Sequence, residues 1–494
     1  MEFLDPSKKR SRSIRLTIGH MLMAAVVVIG TYILVSQAYG FDVNTKTGQV
    51  FQNGLVYIDS APDGAKILIN GVEQKNKTNH RLALPAGQYS LEVAKDGYRP
   101  WKRNFEVEGG QVERFTYPML FPQELQTNSL LTIGERPRLV MQSPDRRWVL
   151  IQKPGSLTAF TQYDLNNLKD KRPQSQGVVF PRNVFSQSTG VQRLELVEWS
   201  TDNKNILVKH TFKGGVEYVV LNRDKPEESV NVNLQLGINP TRVVLRDKKP
   251  DKLYLYFSKT GRILTADLKK KTTEPVLTNV INFKSHGADV ILYAQKVPGS
   301  PKIIRTFIKE KDKTYILRDS PTSAKVPLEI AQYDGQWYVA VGSDAEQKTY
   351  IYKDPTDFLR RTTGQKPVPV MVLKSTGPAN TLSFSQNTRF IMVNNGQHFS
   401  VYDAENEKGY RYNLNEKFDE KIKPVWMDGH RLLVHSGGQV VVFDYDGTNV
   451  QELVASDPRL PAVFNRDYTF LYTVSPNSKT YYFNQTQLRL DEDL

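Results

Sequence analysis

The chain has 494 residues, room for two or three domains and a large core. It contains no cysteine, which excludes disulfides, thiolate nucleophiles, Cys-based zinc sites and a lipid-modified N-terminal cysteine. Its formal net charge of +14 favours anionic neighbours such as wall polymers, acidic lipid or nucleic acid.

Residues 1–15 hold Lys8, Lys9, Arg10, Arg12 and Arg15 against Glu2 and Asp5, which leaves +11 for the rest of the chain. Leu16 to Val35 follow without Asp, Glu, Lys or Arg. As a helix this run would measure roughly 30 Å, the thickness of a bilayer's hydrocarbon core. The sequence therefore predicts a basic cytoplasmic tail over 1–15 and a transmembrane signal anchor over 16–39. By the positive-inside rule everything after residue 40 lies outside a plasma membrane, away from nucleic acid. A cleaved signal peptide is the alternative, because Ser36-Gln37-Ala38 offers small residues at a suitable spacing.

After a linker at 40–52 the pattern turns to β. The 24 Tyr and 22 Phe, set among 31 Gly and 27 Pro, suit many short strands punctuated by turns. Residues 55–60 alternate, Pro62-Asp63-Gly64 makes a turn, and "AKILIN" alternates again, which we read as a β-hairpin. Asn70-Gly71 is a second tight-turn pair, Gly87 stands two residues before an aromatic, and Gly97-Tyr98 follows another turn.

On Pro62-Asp63-Gly64-Ala65, with Gly71, Gly87, Gly97 and Tyr98, the stretch 53–118 resembles the PEGA domain, with Asp63 in place of that family's Glu. The resemblance implies a small β-sandwich that binds peptides or surfaces in envelope proteins, with no catalytic residues. The four glycines read as turn formers, since each lies between strands and none opens a helix.

Beyond a short linker at 119–127, a unit of apolar strands and polar turns recurs over 128–494. The copies start at Gln142, Trp199, Lys249, Ser285, Gln332, Phe384, Trp426 and Phe464. Their spacing of about 46 residues is that of four-stranded propeller blades. The pattern resembles WD40-like or TolB-like β-propeller repeats, whose first two strands are joined by a Ser-Pro-Asp-Gly type turn. Ser143-Pro144-Asp145 is close to it, and Ser200-Thr201-Asp202, Tyr333-Asp334-Gly335 and Met427-Asp428-Gly429 keep parts. Eight blades are expected, or seven if the copy at Ser285 is half of a merged pair. The fold class is thus mostly β: an N-terminal transmembrane helix, a small sandwich and a propeller. Trp199, Trp337 and Trp426 should occupy comparable blade positions between blades.

No G-x-S-x-G, H-E-x-x-H, P-loop or G-x-G-x-x-G pattern occurs. His430 and His435 fall on opposite faces of one strand and read as structural. No metal, cofactor or catalytic residue is therefore assigned. The expected function is a membrane-anchored, extracytoplasmic binding or scaffold protein of a bacterial cell envelope, engaging a protein or an anionic wall polymer, with Lys269, Lys270 and Lys271 as candidate polymer contacts. The alternative is a propeller enzyme acting on a glycan or lactone. It would need strand-end acids such as Asp164, Asp267, Asp403 and Asp444 to converge at one mouth of the ring.

Overall fold

The computed structural model describes residues 6–38, 41–43, 50–323, 325–362, 364–415 and 422–493, so part of the basic tail and of the expected 40–52 linker lies outside the described residues. Two compact units emerge: residues up to Glu124 together with Leu490–Asp493, and Leu125–Arg489.

The first unit begins with the helix Pro6–Ala38. Within it, Ser13–Ser36 is long and apolar enough to cross a membrane, and its most apolar stretch is not buried among the described residues. One such helix fits a signal anchor or a single span. The rest of the unit is a β-sandwich of two four-stranded sheets. In one, Val50–Ile58 pairs antiparallel with Phe41–Val43 and His80–Pro85 and parallel with Val112–Phe115. In the other, Lys66–Ile69 lies between Val72–Lys77 and Gly87–Ala94, which in turn pairs with Trp101–Val107. Alternate residues such as Val56, Ile58, Ile67, Leu91, Val93 and Trp101 face inward and form one core.

This corrects the hairpin expected around Pro62-Asp63-Gly64. The strands on either side belong to different sheets, so the turn is a crossover. Alternation identifies a strand but not its partner. Asn70-Gly71 does join paired strands, with φ of 50° and 79°, the double positive φ of a type I′ turn.

Among the described residues the second unit contains eight four-stranded sheets. We number them as blades 1 to 8, starting at Val140, Arg193, Arg242, Val280, Leu328, Thr381, Val425 and Val463. The segment from Ser285 belongs to a complete blade, so nothing is merged. Blade 8 takes its outer strand from the start of the unit: Thr127–Gly134 pairs with Thr480–Gln487. Buried clusters join blades 1 and 2, 2 and 3, 3 and 4, 4 and 5, 5 and 6, and 8 and 1. Phe399 packs edge-on against Phe443 between blades 6 and 7, and Asp457 N–H bonds Val474 O between 7 and 8. The unit is a closed β-propeller, in which neighbouring blades cover the faces a lone blade would expose and only short edges remain.

Trp199 and Trp426 both end the first strand of their blades, Trp199 within the core between blades 1 and 2 and Trp426 stacked on Phe390. Trp337 does not share that position. It lies on the second strand of blade 5, because in "QYDGQW" the tryptophan follows the turn instead of preceding it.

The turn between first and second strands has one construction in four blades. In blade 1, Ser143 Oγ bonds Asp145 and accepts from Trp148 N–H, five residues on. Ser200 does the same for Asn205, Ser385 for Phe390, and Asn465 for Phe470. The fourth residue of each turn, Arg146, Asn203, Thr388 or Tyr468, sits at φ between 56° and 60°, where glycine is the usual occupant. Side chains held there against their conformational preference point to a use for them.

Candidate axial binding site

First strands of five consecutive blades, 2 to 6, contribute to two adjoining cavities, which only the ring axis can bring together. The outer cavity, of about 500 Å³, is lined by Arg242 from blade 3, Lys284 from blade 4, Lys325 and Glu329 from blade 5, Thr381 from blade 6 and Lys423 on the approach to blade 7. The inner one, of about 460 Å³, shares Arg242 and Lys284 and adds Glu198, Lys248 and His286. Among the described residues the outer cavity carries four cations against one carboxylate.

Most of these charges are partnered. Lys284 Nζ donates to Glu329 Oε1 at 2.8 Å. Glu198 accepts from Leu245 N–H and from Lys248 Nζ. Arg242 differs. Its guanidinium donates to Asn282 Oδ1 at 3.2 Å and to Phe283 O at 3.3 Å and lies 4.8 Å from the Phe283 ring, but no carboxylate among the described residues comes within ion-pair distance. Burial pushes its pKa down, against the fields of Glu198 and Glu329. Thr381 Oγ1, on the same wall, is buried without a hydrogen-bond partner among the described residues.

At the other end of the axis the raised turn residues meet. Arg146 of blade 1 donates to Gln386 of blade 6 and to Met427 O of blade 7, and lies 4.1 Å from the Tyr468 ring of blade 8. Gln386 Nε2 and Tyr468 Oη also donate to Met427 O, at 3.1 and 3.2 Å. Blades 1 and 6 are not neighbours, so this group bridges the ring. Burial lifts the Tyr468 pKa to about 12.

The strand-end acids are held blade by blade. Asp164 binds Arg147 at 2.7 and 2.9 Å, and Asp403 binds Arg389 at 2.6 and 2.8 Å. Asp267 pairs with Lys252, and Asp444 lies 3.7 Å from Arg431 and accepts from Asn449. All four acids lie on a third strand opposite the first residue of the second strand, Asp267, Asp403 and Asp444 at its end and Asp164 within Ala159–Lys169. Burial would raise the Asp164 pKa, yet Arg147 outweighs it and the net shift is downward. Each acid fastens its own hairpin.

Lys269, Lys270 and Lys271 form the next turn of blade 3. The first two backbone N–H groups cap Asp267 Oδ1, all three side chains are exposed, and Lys269 Nζ is 3.5 Å from Asp251. The PEGA-type residues lie in the first unit, where Ala65 is in the core, Tyr98 is 2% exposed, and Gly64, Gly71 and Gly97 sit at positive φ in turns. Pro62 and Asp63 stand on the crossover, and Gly87 begins a strand.

Sequence reasoning missed a buried polar cluster in blade 2. His210 Nδ1 lies 2.7 Å from Glu217 Oε1, and Ser186 Oγ donates to Oε2 at 2.5 Å. Burial alone would raise the Glu217 pKa, but His210 and Ser186 hold it down at about 2. The serine bonds the glutamate and not the histidine, so no nucleophile is activated. A signal was present: His210 and Glu217 are equidistant from the Lys213-Gly214 hairpin loop, which makes them cross-strand partners. His430 packs edge-on against Phe390, and His435 Nε2 is 3.4 Å from Ser456 Oγ. Among the described residues no group of three His, Asp or Glu is placed to hold a metal ion.

Residues 53–120 match the family described as PEGA domain. The chain carries a PEGA domain ahead of a β-propeller. No curated protein matches the sequence. Similar solved structures include the C-terminal WD40 domain of Sif2, with 11% identity and a TM-score of 0.47, covering 74% of this chain and 98% of that one. They also include dihydro-heme d1 dehydrogenase NirN, at 14% and 0.39 over 74% of this chain and 70% of that one. Dipeptidyl peptidase 4 of Porphyromonas gingivalis matches at 12% and 0.44, over 70% and 57%. At these scores the likenesses carry no functional argument. A PEGA domain joined to a propeller supports a binding or scaffold role.

Proposed function

We propose that this protein is a single-span, membrane-anchored binding protein of a bacterial cell envelope, that its PEGA domain and propeller lie outside the plasma membrane, and that the propeller engages an anionic wall polymer without catalysis. The observation that carries the reading is the excess of cations lining the axial cavity, on a unit tethered behind an apolar helix with a basic flank. The orientation is supported by that flank, through the positive-inside rule. The non-catalytic reading is supported by the strand-end acids, each of which is committed to a basic residue of its own blade.

Long-range attraction raises the encounter rate with anionic partners and weakens as salt screens it. Full-length protein in detergent should therefore bind protease-stripped envelopes at low ionic strength and be released steeply as salt approaches about 0.15 M, where the Debye length is about 8 Å. Neutralising Lys269, Lys270 and Lys271 together tests whether the exposed turn contributes to that retention. Binding that is insensitive to salt and is lost when envelope proteins are digested would overturn the polymer reading in favour of a protein partner.

A further inference from the structure

Arg242 lacks the carboxylate partner that many arginines of the propeller have, and Arg146, held by Gln386, Met427 O and the Tyr468 ring, is likewise without one among the described residues. Arg147, Arg223, Arg305, Arg318, Arg389 and Arg431 each have a carboxylate within ion-pair distance. Arg242 has an amide oxygen, a carbonyl and an aromatic face. The two acids close enough to influence it, Glu198 and Glu329, are engaged by Lys248 and Lys284. A charge withdrawn from water without a counter-ion is costly, and it persists where something offsets it.

We propose that the axial cavity is an anion site in which the Arg242 guanidinium receives the carboxylate or phosphate of an acidic, hydroxyl-rich polymer segment. The segment enters past Lys325 and Lys423. This deepens the reading above, on which it rests for the class of ligand. A guanidinium presents a planar fork of donors that suits either acid group, whereas a lysine offers a point charge. Entry from the outer cavity is favoured by its charge, four cations against one carboxylate among the described residues. Lys325 and Lys423 are exposed at the outer mouth, where they attract the polymer without being committed to an ion pair among the described residues. The unsatisfied Thr381 hydroxyl and the neighbouring Asn380 supply neutral hydrogen-bonding groups on the same wall, which suit sugar or polyol hydroxyls better than a polyacidic peptide.

The test is calorimetric titration of the full chain in detergent at low salt with four probes: inorganic phosphate, an oligogalacturonate, an oligo(glycerol phosphate) and poly-aspartate. One oligomer should bind in preference to free phosphate, and which one does identifies the acid group. R242Q should weaken that binding by about tenfold or more, since the charge-assisted fork is lost. Its melting temperature without ligand should be unchanged or higher, because a partly buried charge with no carboxylate partner among the described residues has been removed. A merely structural arginine would instead lower it. The exposed pair K325Q/K423Q, which has no packing role, should weaken binding about threefold and flatten its salt dependence. Full affinity in a folded R242Q, or in K325Q/K423Q should R242Q fail to fold, overturns the site. If the Lys269–Lys271 triple variant lowers binding while R242Q does not, the site fails and the polymer reading stands. Poly-aspartate binding more tightly than both oligomers, or no binding of either oligomer, overturns both.

Discussion

Tyr98 and Asp493 lie 395 positions apart in sequence and are joined by a hydrogen bond of 2.7 Å from the tyrosine Oη to the aspartate Oδ2. The same hydroxyl accepts from Leu490 N–H, Lys95 pairs with Asp493, and Leu490 packs on the sandwich core. The last residues described thus complete the first unit. Tyr98→Phe removes both hydrogen bonds and should destabilise the sandwich by about 1–2 kcal/mol. Truncation after Arg489 should cost more, because it also uncovers core. Hydrogen exchange of Ile67, Leu91 and Val93 amides checks both: exchange should quicken in the order native, Tyr98→Phe, truncated.

Two turn glycines should respond unequally to valine. Gly71 has φ of 79° and open space where a Cβ would stand, so Gly71→Val costs backbone strain alone, about 1–2 kcal/mol. Gly97 has φ of 80° and a Cβ there would lie 2.7 Å from Leu490 Cδ1. Gly97→Val should therefore be the more damaging, and truncation after Arg489 should remove the difference. Urea denaturation of the four proteins measures it.

Burial and the fixed pairing of Asp403 with Arg389 predict a coupling. Asp403 is fully buried and Arg389 nearly so, and Arg389 is held protonated by that carboxylate despite burial. Asp403→Ala strands the guanidinium and should cost about 3–5 kcal/mol, while the double change Asp403→Leu with Arg389→Met should recover most of it. Lys252 and Asp267 hold the equivalent position with a more exposed cation, so Asp267→Ala, which leaves Lys252 to water but uncaps the Lys269 and Lys270 N–H groups, should cost less than Asp403→Ala. Chemical denaturation of the propeller distinguishes these outcomes.

The pH dependence has a definite sign. Burial lowers the His430 pKa to about 4, against an ordinary value near 6.5. Between those values the unfolded chain binds a proton that the folded chain refuses, so stability is complete above pH 6.5 and declines as pH falls toward 4. The loss is of the order of 3 kcal/mol. Glu217, held down at about 2, adds a second decline below about pH 4.5. His430→Gln should flatten the slope between pH 6.5 and 4 without abolishing it, since His286 and His435 are also lowered by burial. Urea midpoints at pH 7.5, 5.5 and 4.5 report the difference.

Local order was legible in the sequence; long-range convergence was not. The apolar run, the Asn70-Gly71 turn and the recurring Ser-x-Asp turn announce themselves because each is decided by a few adjacent residues. The crossover at Pro62-Asp63-Gly64 was misread because strand pairing depends on residues 15 or more positions away, such as His80–Pro85. Arg242, Lys284 and Glu329 carried a faint signal, a charged residue on each of three consecutive first strands. Which of them would find a partner is fixed by ring geometry, and Arg242 stood out only once the blades were in place.

The shared last blade has a consequence for how the chain is made. Thr127–Gly134 emerges early during synthesis, but its hydrogen-bonding partner Thr480–Gln487 follows roughly 350 residues later. At about 5–20 residues per second the strand waits some twenty seconds to a minute with an open edge. If the chain is threaded across a membrane as it grows, the ring must be finished on the far side, after release. Until then its first strand is the segment most in need of a chaperone.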